Sequence, residues 1–177
     1  MNTIILTGGT NQRFGSEKYR AEIAGQGTLL EILVSNLKSE KIIIVGPECN
    51  VAAIYVMEEP PLSGPVNAIA AGLRMVDSEL VAIFATDMPF APKLMDVIMK
   101  AFIADAAIPV DDNGVPQPLA AIYRVSSLRR ALDSLPNLIN QSMKNLIARL
   151  EVNLVNVDSR FLLDIDTQDD LRNAHAF

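Results

Sequence analysis

Residues 4–18 read IILTGGTNQRFGSEK, a short apolar run followed by a pair of glycines and then by two cations. The apolar run predicts a buried strand, and Gly8 and Gly9 have no side chains, so backbone N–H groups can approach a ligand closely. Arg13 and Lys18 would supply the positive charge that a triphosphate needs in addition to peptide dipoles. The stretch therefore predicts a nucleotide site. An ordinary strand-to-helix turn with solvated basic residues is the alternative.

Two well-known glycine loops do not fit this stretch. In a Walker A loop, glycine is followed directly by lysine and then by serine or threonine, whereas Ser16 and Glu17 separate Gly15 from Lys18. The dinucleotide-binding pattern G-x-G-x-x-G does not occur either. The predicted phosphate site is therefore of another type.

Length and composition agree with one compact enzyme domain spanning residues 1–177. The chain has 177 residues, of which 50% are hydrophobic, enough to bury a substantial core. The formal net charge of −6 argues against broad binding to nucleic acid or to anionic membranes. An anionic substrate must then be attracted by local cations.

Catalysis by a cysteine or histidine is not expected. Cys49 is the sole cysteine and His175 the sole histidine, so the sequence predicts no internal disulfide and no Cys-His or Ser-His pair. The chain starts with a strand rather than with signal-peptide segments, and no apolar run reaches membrane-spanning length. We expect a reduced, soluble, cytoplasmic protein that binds neither nucleic acid nor membrane.

Short apolar strands alternate with helical stretches along the chain. The predicted strands are 3–7, 41–45, 54–57, 80–86, 106–110, 119–123 and 153–157, and the predicted helices are 29–37, 66–76, 92–103, 126–135 and 143–150. The alternation predicts a three-layer α/β/α sandwich with a mostly parallel, Rossmann-like sheet. Ligands of such sheets bind at the carboxyl ends of the strands, where the glycine loop and the segments after Met57 and Ala85 would converge.

Asp87 lies at the tip of the fourth predicted strand. Pro89 biases the preceding residue toward an extended conformation and ends the element. A carboxylate at this place can hold Mg²⁺ against phosphate oxygens. The alternative is that Asp87 caps a helix or a turn, since aspartate is common at caps.

A second acidic segment, residues 162–171, reads LLDIDTQDDL. Asp164 and Asp166 point the same way if the segment is extended, so both can approach one cation. Asp166 or Thr167 can also cap a final helix, with Asp169 and Asp170 favourable in its first turn. Capping is the preferred role for Asp169 and Asp170.

Two loops offer weaker signals. In residues 58–69, EEPPLSGPVNAI, Pro65 suits the first turn of a helix, and a plain helix start explains Ser63 and Asn67. Asn113 and Gly114 mark a tight turn before a strand. Further along that segment, Gln117 is expected in a loop and Tyr123 in the core, since aromatic strand residues usually pack.

Residues 4–18 resemble the L-x-G-G-x-S-x-R-M-G-x-D-K signature of the molybdenum cofactor guanylyltransferase family and its nucleotidyltransferase relatives. The matching positions are Leu6, Gly8, Gly9, Arg13, Gly15 and Lys18. Asn11, Phe14 and Glu17 stand where the signature has Ser, Met and Asp, and these changes preserve the spacing of glycines and cations.

Further segments resemble the same family, in the same order. Asp87 lies in a segment that resembles a D-x-P metal motif, and residues 162–171 are similar to the ending D-x-D/N-x-N-T-P-E-D-L, with Gln168 in place of Pro. Residues 64–68 are similar to a G-P-L-A-G segment near the nucleoside, although Asn67 and Ala68 depart from it.

Residues 118–123 are similar to a P-x-x-A-x-Y segment on the acceptor side of the family's cleft. This similarity implies that Gln117 and Tyr123 reach the second substrate. The alternative is that Gln117 is a plain loop residue and Tyr123 a core residue.

The resemblance implies a Mg²⁺-dependent transfer of GMP from GTP to molybdopterin, with release of pyrophosphate and handover of the product to molybdoenzymes or their chaperones. The implied nucleotide-binding residues are Leu6, Thr7, Gly8, Gly9, Lys18, Glu59, Gly64 and Pro65. The implied catalytic residues are Arg13, Lys18 and Asp87, and the implied metal ligands are Asp87, Asp164 and Asp166. Two alternative functions remain. One is a related nucleotidyltransferase that uses CTP or another phosphorylated acceptor, and the other is a noncatalytic nucleotide-binding module.

Overall fold

Seven strands form one sheet in the computed structural model, which describes residues 1–8 and 18–174. The strands are β1 (Asn2–Leu6), β4 (Lys41–Val45), β5 (Ile54–Val56), β6 (Leu80–Ala85), β7 (Ala106–Val110), β8 (Ala120–Arg124) and β9 (Val152–Asn156). Two further strands, β2 (Glu22–Ile23) and β3 (Gly27–Thr28), form a small antiparallel ribbon. The seven predicted strands are confirmed, whereas the ribbon was not predicted.

The order of strands across the sheet is β5-β4-β1-β6-β8-β7-β9. Within this sheet β8 runs antiparallel to both of its neighbours, and the other pairs are parallel. The prediction of a mostly parallel sheet is therefore confirmed. Because β1, β4, β5 and β6 run in one direction, the loops that follow them open on one edge of the sheet.

Six α-helices connect the strands in the described part of the chain. They are α1 (Leu29–Ser35), α2 (Pro65–Leu73), α3 (Met95–Lys100), α4 (Val125–Asp133), α5 (Met143–Ile147) and α6 (Gln168–Asn173). The helix predicted at 92–103 is divided, because a 3₁₀ turn at Ala91–Leu94 precedes α3 and carries Pro92 in its first turn. Proline fits a helix start but not an interior, which explains the division.

Helices cover both faces of the sheet. Alternate residues of β6 point to opposite faces: Val81 and Ile83 pack with α2, α4 and α5, while Ala82 and Phe84 pack with α1 and α3. The predicted three-layer α/β/α sandwich is therefore confirmed. Among the described helices, none is both long and apolar enough to cross a membrane.

Candidate active site

The carboxyl ends of β1, β4 and β6 open into a cleft of about 380 Å³, and α2 begins at its rim. The described residues that line the cleft are Leu6, Gly8, Val45, Glu58, Leu62, Gly64, Pro65, Ala68, Ala85, Asp87, Leu119 and Asn140. The volume lies within the range of small-molecule sites. The cleft occupies the edge of the sheet where the sequence predicts the ligand, and it brings the start of the glycine loop close to Gly64, Pro65 and Asp87.

A larger cavity, of about 480 Å³, lies elsewhere, between the end of α1 and α3. Met1 lines it, so it lies at the amino end of β1. Ligands of parallel sheets bind at the opposite edge, and the smaller cleft is therefore the better candidate for the nucleotide.

The start of the glycine loop is held against the end of β4. The backbone N–H and the Oγ1 hydroxyl of Thr7 both donate to the carbonyl oxygen of Val45, each over 3.1 Å. Gly46 makes this contact sterically possible, since a Cβ atom there would lie 1.9 Å from Thr7 Oγ1. Thr7 therefore anchors the loop, while Leu6 and Gly8 face the cleft. Gly9, Arg13 and the Lys18 side chain lie outside the described residues.

Tyr55 fixes the loop that follows β4. Its hydroxyl lies 2.8 Å from the carbonyl oxygen of Cys49 and 2.6 Å from that of Val51, and 3.3 Å from Cys49 Sγ. Burial, together with the neighbouring thiol, raises the pKa of Tyr55 to about 12, so the phenol stays neutral near pH 7. The contact supports the interpretation of Cys49 as a structural thiol.

The start of α2 forms another wall of the cleft. Gly64 is the residue before the first helical turn and has φ +96°, a conformation that favours glycine, and Pro65 follows in the first turn. The Asn67 amide donates to Ser63 Oγ over 2.6 Å and to the carbonyl oxygen of Glu59 over 3.0 Å. Ser63 and Asn67 thus stabilise the loop before the helix, while the N-cap position itself is Gly64, which has no side-chain cap hydrogen bond.

Glu58, rather than the predicted Glu59, lines the cleft. Glu58 is 6% exposed, and its Oε1 accepts a hydrogen bond of 2.9 Å from the backbone N–H of Leu62. Glu59 is exposed outside the cleft lining. Sequence reasoning missed Glu58 because no motif distinguishes the two adjacent glutamates. The signal that could have identified Glu58 is its position directly after the predicted strand 54–57.

Asp87, Asp164 and Asp166 come together although they are far apart in the sequence. Each offers a carboxylate oxygen, and these oxygens lie within 4.8 Å of one another. The backbone N–H of Ile165 donates to the carbonyl oxygen of Asp87 over 2.9 Å, which fixes the two segments side by side. Ile165 is fully buried, so the residues on either side of it point away from that core.

The other acidic residues of the last segment have structural roles, as predicted. Thr167 is the N-cap of α6 and forms a capping box with Asp170. Asp169 pairs with Arg172 on the helix surface. Asp87 is not the cap of the 3₁₀ turn that follows it, because Phe90 occupies the N-cap position.

Tyr123 belongs to the core. It is fully buried, and its hydroxyl donates to the carbonyl oxygen of Pro118 over 2.6 Å. Burial raises the pKa of Tyr123, which keeps the phenol neutral. The half-buried Gln117 donates its backbone N–H to the carbonyl oxygen of Pro109 in the loop before β8. The predicted core and loop positions are therefore confirmed.

The acidic cluster has the chemistry of a magnesium site. Three carboxylates at this separation repel one another, and a divalent cation between them would offset that repulsion. Mg²⁺ prefers oxygen ligands and is usually held by one or two carboxylates together with substrate phosphates. Asp87, Asp164 and Asp166 fit this ion, and Asp87 lines the cleft at the end of β6.

Comparison with known proteins agrees with this geometry. Residues 3–154 match the MobA-like NTP transferase domain. A probable molybdenum cofactor guanylyltransferase of Chloroflexus aggregans is 34% identical over 72% of this chain and 67% of its own length. A probable molybdenum cofactor guanylyltransferase of Mycobacterium avium is 30% identical over 96% of this chain and 92% of its own length.

A solved structure extends the likeness to the fold. Molybdopterin-guanine dinucleotide biosynthesis protein A of Archaeoglobus fulgidus is 25% identical and superimposes with a TM-score of 0.78, covering 99% of this chain and 97% of that one. The sequence match spans the glycine loop, α2 and the end of β6, and the structural match adds the segment that carries Asp164 and Asp166. This chain belongs to the family of MobA-like NTP transferases.

Proposed function

We propose that this chain is a molybdenum cofactor guanylyltransferase, which transfers GMP from GTP to molybdopterin in the presence of Mg²⁺. The observation that carries the proposal is the convergence of Asp87, Asp164 and Asp166 beside a nucleotide-sized cleft. The names of the relatives support guanosine triphosphate and the molybdenum cofactor as the substrates.

The reaction is a displacement at phosphorus. A terminal phosphate oxygen of molybdopterin attacks the α-phosphorus of GTP and forms a new P–O bond. The bond from the α-phosphorus to the oxygen that bridges to the β-phosphate breaks, and pyrophosphate leaves with that electron pair. Such a step depends on positioning and on neutralisation of charge rather than on a protein nucleophile.

Each part of the cleft has a place in this proposal. The proposed nucleotide contacts are Leu6, Thr7, Gly8, Gly9, Lys18, Gly64 and Pro65, with Glu58 in place of the predicted Glu59, which lies outside the cleft lining. Arg13 and Lys18 would stabilise the triphosphate and the departing pyrophosphate. Asp87 with Asp164 or Asp166 would hold Mg²⁺, which when bound neutralises negative charge on the phosphates.

Glu58 supports guanine as the base. A carboxylate only accepts hydrogen bonds, and it retains acceptor capacity beyond the bond from Leu62. Guanine presents two adjacent donors, N1–H and the 2-amino group, to one carboxylate, whereas cytosine presents a single amino group. Placing guanine against Glu58 therefore satisfies a buried charge that cytosine would leave less well paired.

Labelled GTP tests the proposed reaction. With molybdopterin and Mg²⁺, label in the α-phosphate should appear in the pterin product and label in the γ-phosphate in pyrophosphate. A chelator of divalent cations should stop both transfers. Label that stays in GTP, or that leaves as free GMP, would exclude the transfer.

Handover is the remaining part of the proposal. We expect direct transfer of the dinucleotide product to a molybdoenzyme or its chaperone. Product release from the purified chain should then be faster when an apo-molybdoenzyme is added than when an unrelated protein of similar charge is added.

A further inference from the structure

Asn140 lines the cleft from a segment that carries no recognisable binding motif. Its backbone N–H donates to the carbonyl oxygen of Ser63 over 2.6 Å, and a Cβ atom on Gly64 would lie 3.4 Å from Asn140 Cα. Asn140 has φ +57°, a left-handed conformation that asparagine tolerates better than most residues. The segment before α5 is therefore fixed against the start of α2, with the exposed Asn140 at the cleft wall.

Asn140 is joined to the loop that carries Glu58. The backbone N–H of Leu62 donates to the Glu58 carboxylate, and the carbonyl oxygen of the next residue, Ser63, accepts from the backbone N–H of Asn140. These two bonds join the cleft wall at Glu58 to the wall at Asn140. Glu58 follows β5 and Asp87 follows β6, and both β4 and β1 lie between these strands. The buried Glu58 carboxylate disfavours phosphate nearby. A Cβ atom on Gly8 would lie 3.9 Å from Glu58 Oε1, so the base belongs beside Glu58 and Gly8, and the phosphates belong toward Asp87.

The two side chains at the base end are chemically complementary. Glu58 accepts hydrogen bonds only, whereas the Asn140 carboxamide offers two N–H donors and one acceptor oxygen. The Watson–Crick edge of guanine has two donors, at N1 and at the 2-amino group, beside one acceptor, O6. We propose that Asn140 donates to O6 of guanine while Glu58 accepts from the two donors, which makes Asn140 a specificity-determining residue. This assignment rests on the proposed function.

Guanine analogues test the assignment one atom at a time. In 6-thio-GTP a sulfur, which is a weak acceptor, replaces O6, and in ITP only the 2-amino group is missing. Calorimetry with wild-type protein should show GTP binding about fivefold to tenfold tighter than 6-thio-GTP, the effect of one hydrogen bond. Asn140→Gly keeps the backbone conformation and should abolish this preference, while the preference for GTP over ITP stays unchanged.

Two further variants keep the test decisive. Asn137→Gly loosens the same segment at an exposed residue outside the cleft lining and should retain the preference for GTP over 6-thio-GTP. Asn140→Asp preserves shape but replaces the donor with a negative acceptor, so this variant should bind GTP more weakly than the wild type does and should lose the preference for GTP over 6-thio-GTP. It decides the question if the glycine variant does not fold.

The outcomes separate this assignment from the function. If wild-type protein does not bind GTP, the proposed function fails. If it binds GTP but does not distinguish it from 6-thio-GTP, or if both Asn140 variants distinguish the two as well as the wild type, the role of Asn140 is overturned while the function stands.

Discussion

Asp87 is the residue on which the proposed chemistry depends most. Asp87→Asn keeps the size of the side chain but removes the negative charge that faces Asp164 and Asp166. Turnover at saturating GTP should fall about 100-fold, the scale of losing one preorganised electrostatic contact. Steady-state pyrophosphate release across a Mg²⁺ titration measures the effect.

Asp169→Asn is the matched control for this variant. It makes the same chemical change on the surface of α6, outside the acidic cluster, and should leave turnover unchanged. Added Mg²⁺ should also raise the Tm of the wild type and of Asp169→Asn more than that of Asp87→Asn, because a ligand stabilises the state that binds it. Full activity of Asp87→Asn at every Mg²⁺ concentration would remove Asp87 from the metal site.

Prediction from the sequence succeeded where a local pattern sets the geometry. The alternation of Asp164, a buried Ile165 and Asp166 could be inferred from an extended segment, and the structure adds the backbone bond that brings them to Asp87. Glu58 and Asn140 could not be found in this way. Which glutamate is buried, and which distant loop packs on Gly64, depend on tertiary contacts that leave no periodic signal.

At the scale of elements, the contact between the glycine loop and β4 depends on Gly46. A Cβ atom there would lie 1.9 Å from Thr7 Oγ1, and Gly46 has φ +146°. Gly46→Ala should therefore displace Thr7, lower the free energy of unfolding by about 1–3 kcal/mol and weaken GTP binding. Urea denaturation and calorimetry measure the two effects.

Gly114→Ala separates backbone strain from the clash. Gly114 also has positive φ, at +74°, but a Cβ atom there would have no described neighbour within 4 Å. This variant should lose stability while binding GTP normally. Equal weakening of GTP binding in both variants would contradict the anchoring role of Thr7.

The sequence predicted elements better than their ends. Each of the seven strands of the main sheet was found because apolar runs of this length are distinctive, whereas two-residue strands such as β2 and β3 are too short to show a period. Pro92 indicated a helix start, but not that the first turn would be 3₁₀. The insertion of antiparallel β8 between β6 and β7 is a matter of topology that strand patterns do not encode.

At the scale of the molecule, Asp105 links three elements and should make stability depend on pH. Its carboxylate accepts from the Ser127 hydroxyl over 2.5 Å and from the backbone N–H of Glu151 over 3.1 Å. The Ser127 hydroxyl, followed by the Glu151 N–H, lowers the pKa of Asp105. The carboxylate therefore stabilises the fold above its unfolded pKa of about 3.9, and this contribution is lost as pH falls through the folded pKa.

Asp105→Asn should accordingly be less stable than the wild type by about 1 kcal/mol at pH 7, a value reduced by partial exposure. The difference should shrink as the pH falls below about 4. Urea denaturation from pH 7 to pH 3 measures it. A difference that does not change with pH would assign the loss to packing rather than to the charge.

The proposed function as a whole depends on which nucleotide base and which acceptor the enzyme uses. The most direct measurement supplies GTP, ATP, CTP and UTP together at equal concentration, with molybdopterin and Mg²⁺, and identifies the dinucleotide product by mass spectrometry. We predict the guanine dinucleotide form as the dominant product, with one pyrophosphate released for each. Predominant formation of the cytosine form, or consumption of GTP with no molybdopterin product, would contradict the proposed guanylyltransferase.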